Sequence, residues 1–202
     1  MSWRPIGIFD SGVGGLTVLR ELSRKLPQED TIYLGDTARV PYGTKSPDTV
    51  IRYSLEIASF MVTRDIKLLV VACNTASAAA LSVLQEKLPI PVVGVIEPGA
   101  RRAVEVTRNG MVGVIGTTGT IRSSAYSKAI KQINPDISVL AKPCPLFVPL
   151  AEEGWTDNDV ACMTAQIYLR EFRDTNVDAL VLGCTHYPLL KRLIAETVGP
   201  GV

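Results

Sequence analysis

The chain has 202 residues, enough to bury a sizeable core as one compact domain or as two smaller ones. Its 47% hydrophobic and 20% charged residues are ordinary for a folded protein. A formal net charge of +1, with Lys and Arg scattered along the chain, argues against nucleic acid or an anionic membrane as the main partner.

The N-terminal stretch "MSWRPIGIFDSG" lacks the apolar core of a signal peptide, and no apolar run approaches the ~20 residues of a membrane helix. Cys73, Cys144, Cys162 and Cys184 include no C-x-x-C pair. They therefore read as reduced thiols rather than as zinc ligands or a redox motif, and the expected setting is the cytoplasm.

In chain order, "IGIF" is a predicted strand that runs through the turn "DSGVGG" into "GLTVLRELSRKL". Leu16, Leu19, Leu22 and Leu26 fall there at helical spacing. "TIYLG" is the next strand, and "RVPYGTKS" is a Pro- and Gly-punctuated loop able to offer backbone N–H groups to an anion. "SPDTVIRYSLEIASFMVTR" predicts a helix with Ser46 as N-cap and Pro47 at its first position. The strand "KLLVVAC" precedes the helix "TASAAALSVLQEKL". "PVVGVI", "MVGVIG" and "ISVLA" are further strands, and "TDNDVACMTAQIYLREFRD" is a further helix. "DALVLGC" is the last strand, before a helix opened by Pro188. The apolar runs are continuous rather than alternating, as in parallel sheets covered on both faces. The βαβα succession predicts an α/β architecture with right-handed crossovers.

The two halves echo each other. "IGIFDSGVGG" resembles "VGVIGTTGT", setting Gly7 on Gly113, and at a similar offset Cys73 falls near Cys184. Two related α/β units are therefore expected, residues 1–97 and 98–202, with the boundary near "EPGARRA". Ligands of open α/β sheets bind beyond the carboxyl ends of the strands, where "DSGVGG", "ACNTAS", "IGTTGT" and "GCTHYP" all lie. Two units facing each other would gather these turns in one cleft.

A cysteine taken singly is most often a small core residue. Cys73 and Cys184 differ from that pattern because each ends an apolar strand and precedes a helix. At a helix N-terminus the thiol pKa is expected to fall from ~8.5 toward neutrality. Cys144 and Cys162 lack such a turn and read as structural. "DSGVGG" is a poor dinucleotide loop, since Thr17 stands where the third glycine is required, so Asp10 and Ser11 read as helix caps or as ligand contacts. His186, the only histidine, lies two residues from Cys184, where it can supply a proton or a cationic hydrogen bond. Glu152 and Glu153 alone would be surface carboxylates.

Taken together, "IGIFDSGVGGLTVLREL", "YLGDTARVPYGTKS", "ACNTASA", "GVIEPG", "GVIGTTGTI", "CPLFVPLAEEG" and "LVLGCTHYPLL" resemble the signatures of the glutamate racemases, in their order and over essentially the whole chain. These belong to the cofactor-independent aspartate/glutamate racemases. The resemblance implies two pseudo-symmetric α/β lobes with mainly parallel sheets and the active site between them. It implies interconversion of L- and D-glutamate without pyridoxal phosphate or metal, supplying D-glutamate for peptidoglycan. Cys73 and Cys184 would be the acid/base thiols, Cys73 acting on D-glutamate and Cys184 on L-glutamate, assisted by Asp10, Glu152 and His186. Substrate contacts would fall on Asp10, Ser11, Tyr42, Gly43, Asn74, Thr75, Thr117, Thr120, Thr185 and His186. The expected partner is glutamate, with neither nucleic acid nor membrane, and a homodimer is in keeping with the resemblance. Members of the family usually continue beyond "ETVGPGV" with a segment completing the first lobe, and that completion is expected to be missing. Two alternatives stand beside the racemase: a truncated, non-catalytic glutamate-binding protein, and an aspartate racemase of the same superfamily.

Overall fold

The structure, a computed structural model, describes residues 3–202. Met1 and Ser2, which open the N-terminal stretch read for a signal sequence, lie outside the described residues. The chain divides into two compact units, Met1–Val95 and Ile96–Val202. Among the described residues no helix is long and apolar enough to cross a membrane.

In the first unit, β1 (Ile6–Asp10), β2 (Thr31–Gly35), β3 (Leu68–Val71) and β4 (Val92–Gly94) form a parallel sheet in the order β2-β1-β3-β4. Helices α1 (Leu16–Lys25), α2 (Pro47–Val62) and α3 (Asn74–Lys87) connect them. Alternate residues serve opposite faces of the sheet. Phe9, Leu69 and Val71 join Ile57, Met61 and Leu84 in one core, while Ile6, Ile8, Val70 and Ala72 pack with Val18, Leu19 and Leu22 in another. Each fully buried side chain of this size contributes about 1.5–3 kcal/mol. Leu16 and Leu26, members of the predicted leucine stripe, are largely exposed, so only its middle covers the sheet. Ser46 caps α2 by accepting the Thr49 N–H, and Pro47 occupies the first turn, as its fixed φ favours.

The second unit opens with α4 (Ile96–Val106). The segment "EPGARRA", expected at a boundary, is therefore helical. Pro98 lies in the first turn, where a missing N–H leaves no helical bond unmade. Strands β5 (Met111–Gly116), β6 (Ser138–Pro143) and β7 (Ala179–Gly183) form a parallel sheet in the order β6-β5-β7. The connections are α5 (Thr118–Arg122) and α6 (Ala125–Ile133), then α7 (Phe147–Glu152) and α8 (Asp159–Arg173), with α9 (Lys191–Val198) after β7. Ile115, Phe147, Leu169, Phe172 and Tyr187 centre its core.

The internal echo has a register behind it. Gly7 pairs with Leu69 and Gly113 with Leu180, and in both sheets the first strand lies between the second and the third. Continued past the last paired residues, the ladders set Ser11 opposite Cys73 and Thr117 opposite Cys184. In each unit a hydroxyl residue thus faces a cysteine across the point where strand order reverses, the usual ligand position of open α/β sheets.

Candidate active site

In the first unit, candidate residues lie at the carboxyl ends of β1, β2 and β3. Asp10 is fully buried; its Oδ2 accepts the Gly12 N–H at 3.1 Å, and its carbonyl accepts the Asp36 N–H at 3.0 Å. Cys73 is the N-cap residue of α3, and its Sγ lies 3.5 Å from Ser11 Oγ. Asn74 and Thr75 open α3 and are buried. The first N–H groups of a helix have no partner within it, so this end of α3 is suited to an anionic group.

The sequence predicts a depressed pKa for Cys73, and the structure reverses it. Burial, then the Asp10 carboxylate, push the thiol up to about 11, against the Ser11 hydroxyl and the backbone N–H groups of Ala76 and Ser11. The helix end does favour the thiolate, but a fully buried sulfur beside a carboxylate loses more solvation than that end returns.

Tyr42 and Gly43 begin a 3-10 turn, Tyr42–Thr44, preceded by a cis Val40–Pro41 peptide, and both are buried. The Tyr42 hydroxyl donates to the Asp36 carboxylate, which Arg39 Nε also reaches at 2.6 Å. Arg39 in turn pairs with Glu56 and lies over the Tyr53 ring at 4.2 Å. The Tyr42 phenol is thus held within its own unit, leaving the backbone as the part of "PYG" suited to a ligand. Asp36, Arg39 and Tyr33, which bonds the Gly12 carbonyl at 2.6 Å, are additions that sequence reasoning missed. Asp36 carried a signal, since it directly follows β2 much as Asp10 closes β1; Tyr33 carried none.

In the second unit, candidate residues lie beyond β5 and β7. Cys184, Thr185 and His186 follow β7 and are buried. Cys184 Sγ lies 3.8 Å from His186 Nδ1, and His186 Nε2 lies 3.0 Å from Glu152 Oε1 at the end of α7. With Nε2–H donating to the carboxylate, Nδ1 turns its lone pair to the thiol, a thiol–imidazole–carboxylate relay. Tyr187 donates to the Cys144 carbonyl at 2.8 Å and so ties this turn to the start of α7. Thr117 and Thr120 are buried beyond β5, where Thr117 Oγ1 accepts the Thr120 N–H. The expected helix at Pro188 is instead a 3-10 turn, Tyr187–Leu190, with α9 starting only at Lys191. No α-helix therefore begins at Cys184, and the helix-end argument does not apply there. Within its unit the structure brings Asp10, Ser11, Cys73, Asn74 and Thr75 to one end of one sheet, and likewise Thr117, Thr120, Cys184, Thr185 and His186 to one end of the other. Cys144 has no such surroundings: it is a core residue whose burial pushes the thiol up to about 12.

Residues 6–202 match the family described as Asp/Glu/Hydantoin racemase. The glutamate racemase of Geobacter metallireducens is 75% identical over 202 residues, which is all of this chain and 75% of that protein. Among solved structures, a glutamate racemase isoform of Bacillus anthracis matches with a TM-score of 0.96 and 45% identity, over 98% of this chain and 75% of its own. The glutamate racemase of Francisella tularensis, solved in complex with D-glutamate, matches with a TM-score of 0.91 and 46% identity, over 96% of this chain and 73% of its own.

Proposed function

Because this chain belongs to the Asp/Glu/Hydantoin racemase family, we propose that it is a glutamate racemase interconverting L- and D-glutamate by cofactor-independent proton transfer between substrate and two thiols. The observation that carries the mechanism is the repeated placement of Cys73 opposite Ser11 and Cys184 opposite Thr117 at the switch point of each sheet. The kinship supports glutamate over aspartate, and a place in the cytoplasm, supplying D-glutamate for peptidoglycan.

Inverting a carbon by proton transfer needs a base on one face and an acid on the other. From D-glutamate, the Cys73 thiolate takes the α-proton, leaving a carbanion, and the Cys184 thiol donates its proton to the opposite face. The products are L-glutamate, a Cys73 thiol and a Cys184 thiolate; the reverse direction exchanges the roles. With its pKa pushed up to about 11, Cys73 is ionised in only ~0.1% of free molecules at pH 8, although each thiolate is a strong base. A cationic α-ammonium group near Asp10 raises that fraction by offsetting the carboxylate charge. On the other side, His186, held by Glu152, takes up and returns the Cys184 proton. Backbone N–H groups and hydroxyls of the Asn74–Thr75 and Thr185 turns stabilise the charge developing on the substrate carboxylate.

The test is α-hydrogen exchange in D₂O with each enantiomer. Deuterium uptake with inversion supports racemisation, whereas glutamate binding without exchange would mean a non-catalytic binding protein. Faster exchange on aspartate than on glutamate would contradict the substrate.

A further inference from the structure

The two hydroxyl residues that face the cysteines are held in different ways. Thr117 fixes itself: it is the N-cap of α5, accepting the Thr120 N–H, and its Oγ1 lies 3.1 Å from Thr120 Oγ1. Ser11 sits in a turn of three glycines, Gly12, Gly14 and Gly15, that leads into α1. The N-cap of α1 is Gly15, and no side chain caps that helix. Glycines give such a turn high intrinsic conformational freedom, and the Ser11 hydroxyl, unlike that of Thr117, caps no helix.

What holds the turn comes from the neighbouring strand. Tyr33 stands in β2, and its hydroxyl donates to the Gly12 carbonyl at 2.6 Å while the Gly15 backbone N–H also bonds the phenol. The fit is close: a Cβ on Gly15 would lie 2.7 Å from the Tyr33 hydroxyl and 2.4 Å from Asp10 Cβ. On the other side, a Cβ on Gly35 would lie 2.4 Å from the Gly12 carbonyl oxygen. Burial, then the Asp10 carboxylate and Cys73, hold the phenol well above its ordinary pKa, so it stays protonated and remains a donor. Asp10 closes the same turn from within through the Gly12 N–H.

We infer that Tyr33 is a positioning residue for the Cys73 thiol, acting by bridging Gly12 and Gly15 so that Ser11 Oγ meets the Cys73 sulfur. The role of this thiol in racemisation rests on the function proposed above; the geometry of the bridge does not. Tyr33 donates to the turn rather than to the sulfur, so its whole effect passes through the placement of Ser11. That gives it a signature that general stabilisation lacks.

The experiment is a double-mutant cycle read on Cys73 itself. Tyr33→Phe, Ser11→Ala and the double variant are made in the full chain carrying Cys184→Ala. The rate of iodoacetamide labelling at Cys73 is followed across pH by peptide mass spectrometry. Each single variant is expected to displace the labelling profile upward, slowing labelling about threefold to tenfold at pH 9. The double variant should fall clearly short of the sum of the two single effects, since Tyr33 acts in part through the hydroxyl that Ser11→Ala removes, while the Ser11 backbone N–H remains. Gly35→Ala, which drives a methyl group to 2.4 Å from the Gly12 carbonyl oxygen that accepts from Tyr33, with the hydroxyl retained, is expected to displace the profile in the same direction, and it keeps the test open should Tyr33→Phe not fold. A Tyr33→Phe profile that superimposes on its parent, or effects that simply add, would overturn the inference. Because labelling needs no turnover, a chain that fails to racemise glutamate would sink the proposed function and leave this result standing.

Discussion

At Cys73, desolvation and the Asp10 charge favour the thiol, while the Ser11 hydroxyl and the N–H groups of Ser11 and Ala76 favour the thiolate. The first two win, so removing one member of each set has opposite consequences. Asp10→Asn should move Cys73 labelling to lower pH, and Ser11→Ala should move it to higher pH, as read by alkylation in the Cys184→Ala background. In the second unit, His186→Asn removes the relay behind Cys184 and should lower kcat by about 100-fold or more. The substrates are enantiomers with an equilibrium constant of unity, so kcat/KM must fall equally in both directions; initial rates from L- and D-glutamate check this. The cysteines and His186 were legible as candidates because strand, thiol and polar turn follow one another in the chain. The pKa direction was not, because it depends on burial and on Asp10, which only the pairing of β1 with β3 brings close.

The strands β1 and β5 each carry a glycine whose missing side chain makes room for a neighbour. A methyl group on Gly7 would lie 2.6 Å from Ile66 Cδ1, and one on Gly113 would lie 2.7 Å from Leu180 Cδ1. Gly7→Ala and Gly113→Ala should each cost about 1–3 kcal/mol through overpacking, measured by urea unfolding. At helix starts, Asn158 accepts the Ala161 N–H at 2.9 Å, and Asn158→Ala should cost about 1 kcal/mol in the same assay. The strands could be read from the sequence because buried parallel strands are written as unbroken apolar runs. The ends of elements were harder. "EPGARRA" carries Pro and Gly yet is helical, because Pro is accepted in a first turn; Gly99 also lies against Tyr126, where a Cβ would come within 3.1 Å of the ring. The turn after Cys184 tightens to 3-10 before α9 begins, so no α-helix starts at that thiol.

Across the chain, several groups that are neutral at ordinary pH are buried in that form: Cys73, Cys144, Tyr42 and Tyr187 all hold their protons more tightly than exposed residues do. The unfolded chain gives up those protons more readily, so alkali favours unfolding. The two thiols contribute stability that is whole below pH 9 and lost as pH rises through about 11 and 12, and urea midpoints should fall across that interval. The repeated order of strand, hydroxyl turn, strand and cysteine was visible in the sequence as a weak echo; the shared register gives it a physical basis. In the proposed mechanism two thiols exchange one proton each with glutamate, and D₂O incubation of the parent chain beside Cys73→Ala and Cys184→Ala reads both transfers. The parent should incorporate deuterium at Cα and invert either enantiomer, and each alanine variant should lose inversion. Inversion at the parent rate in both variants would rule out the two-thiol mechanism.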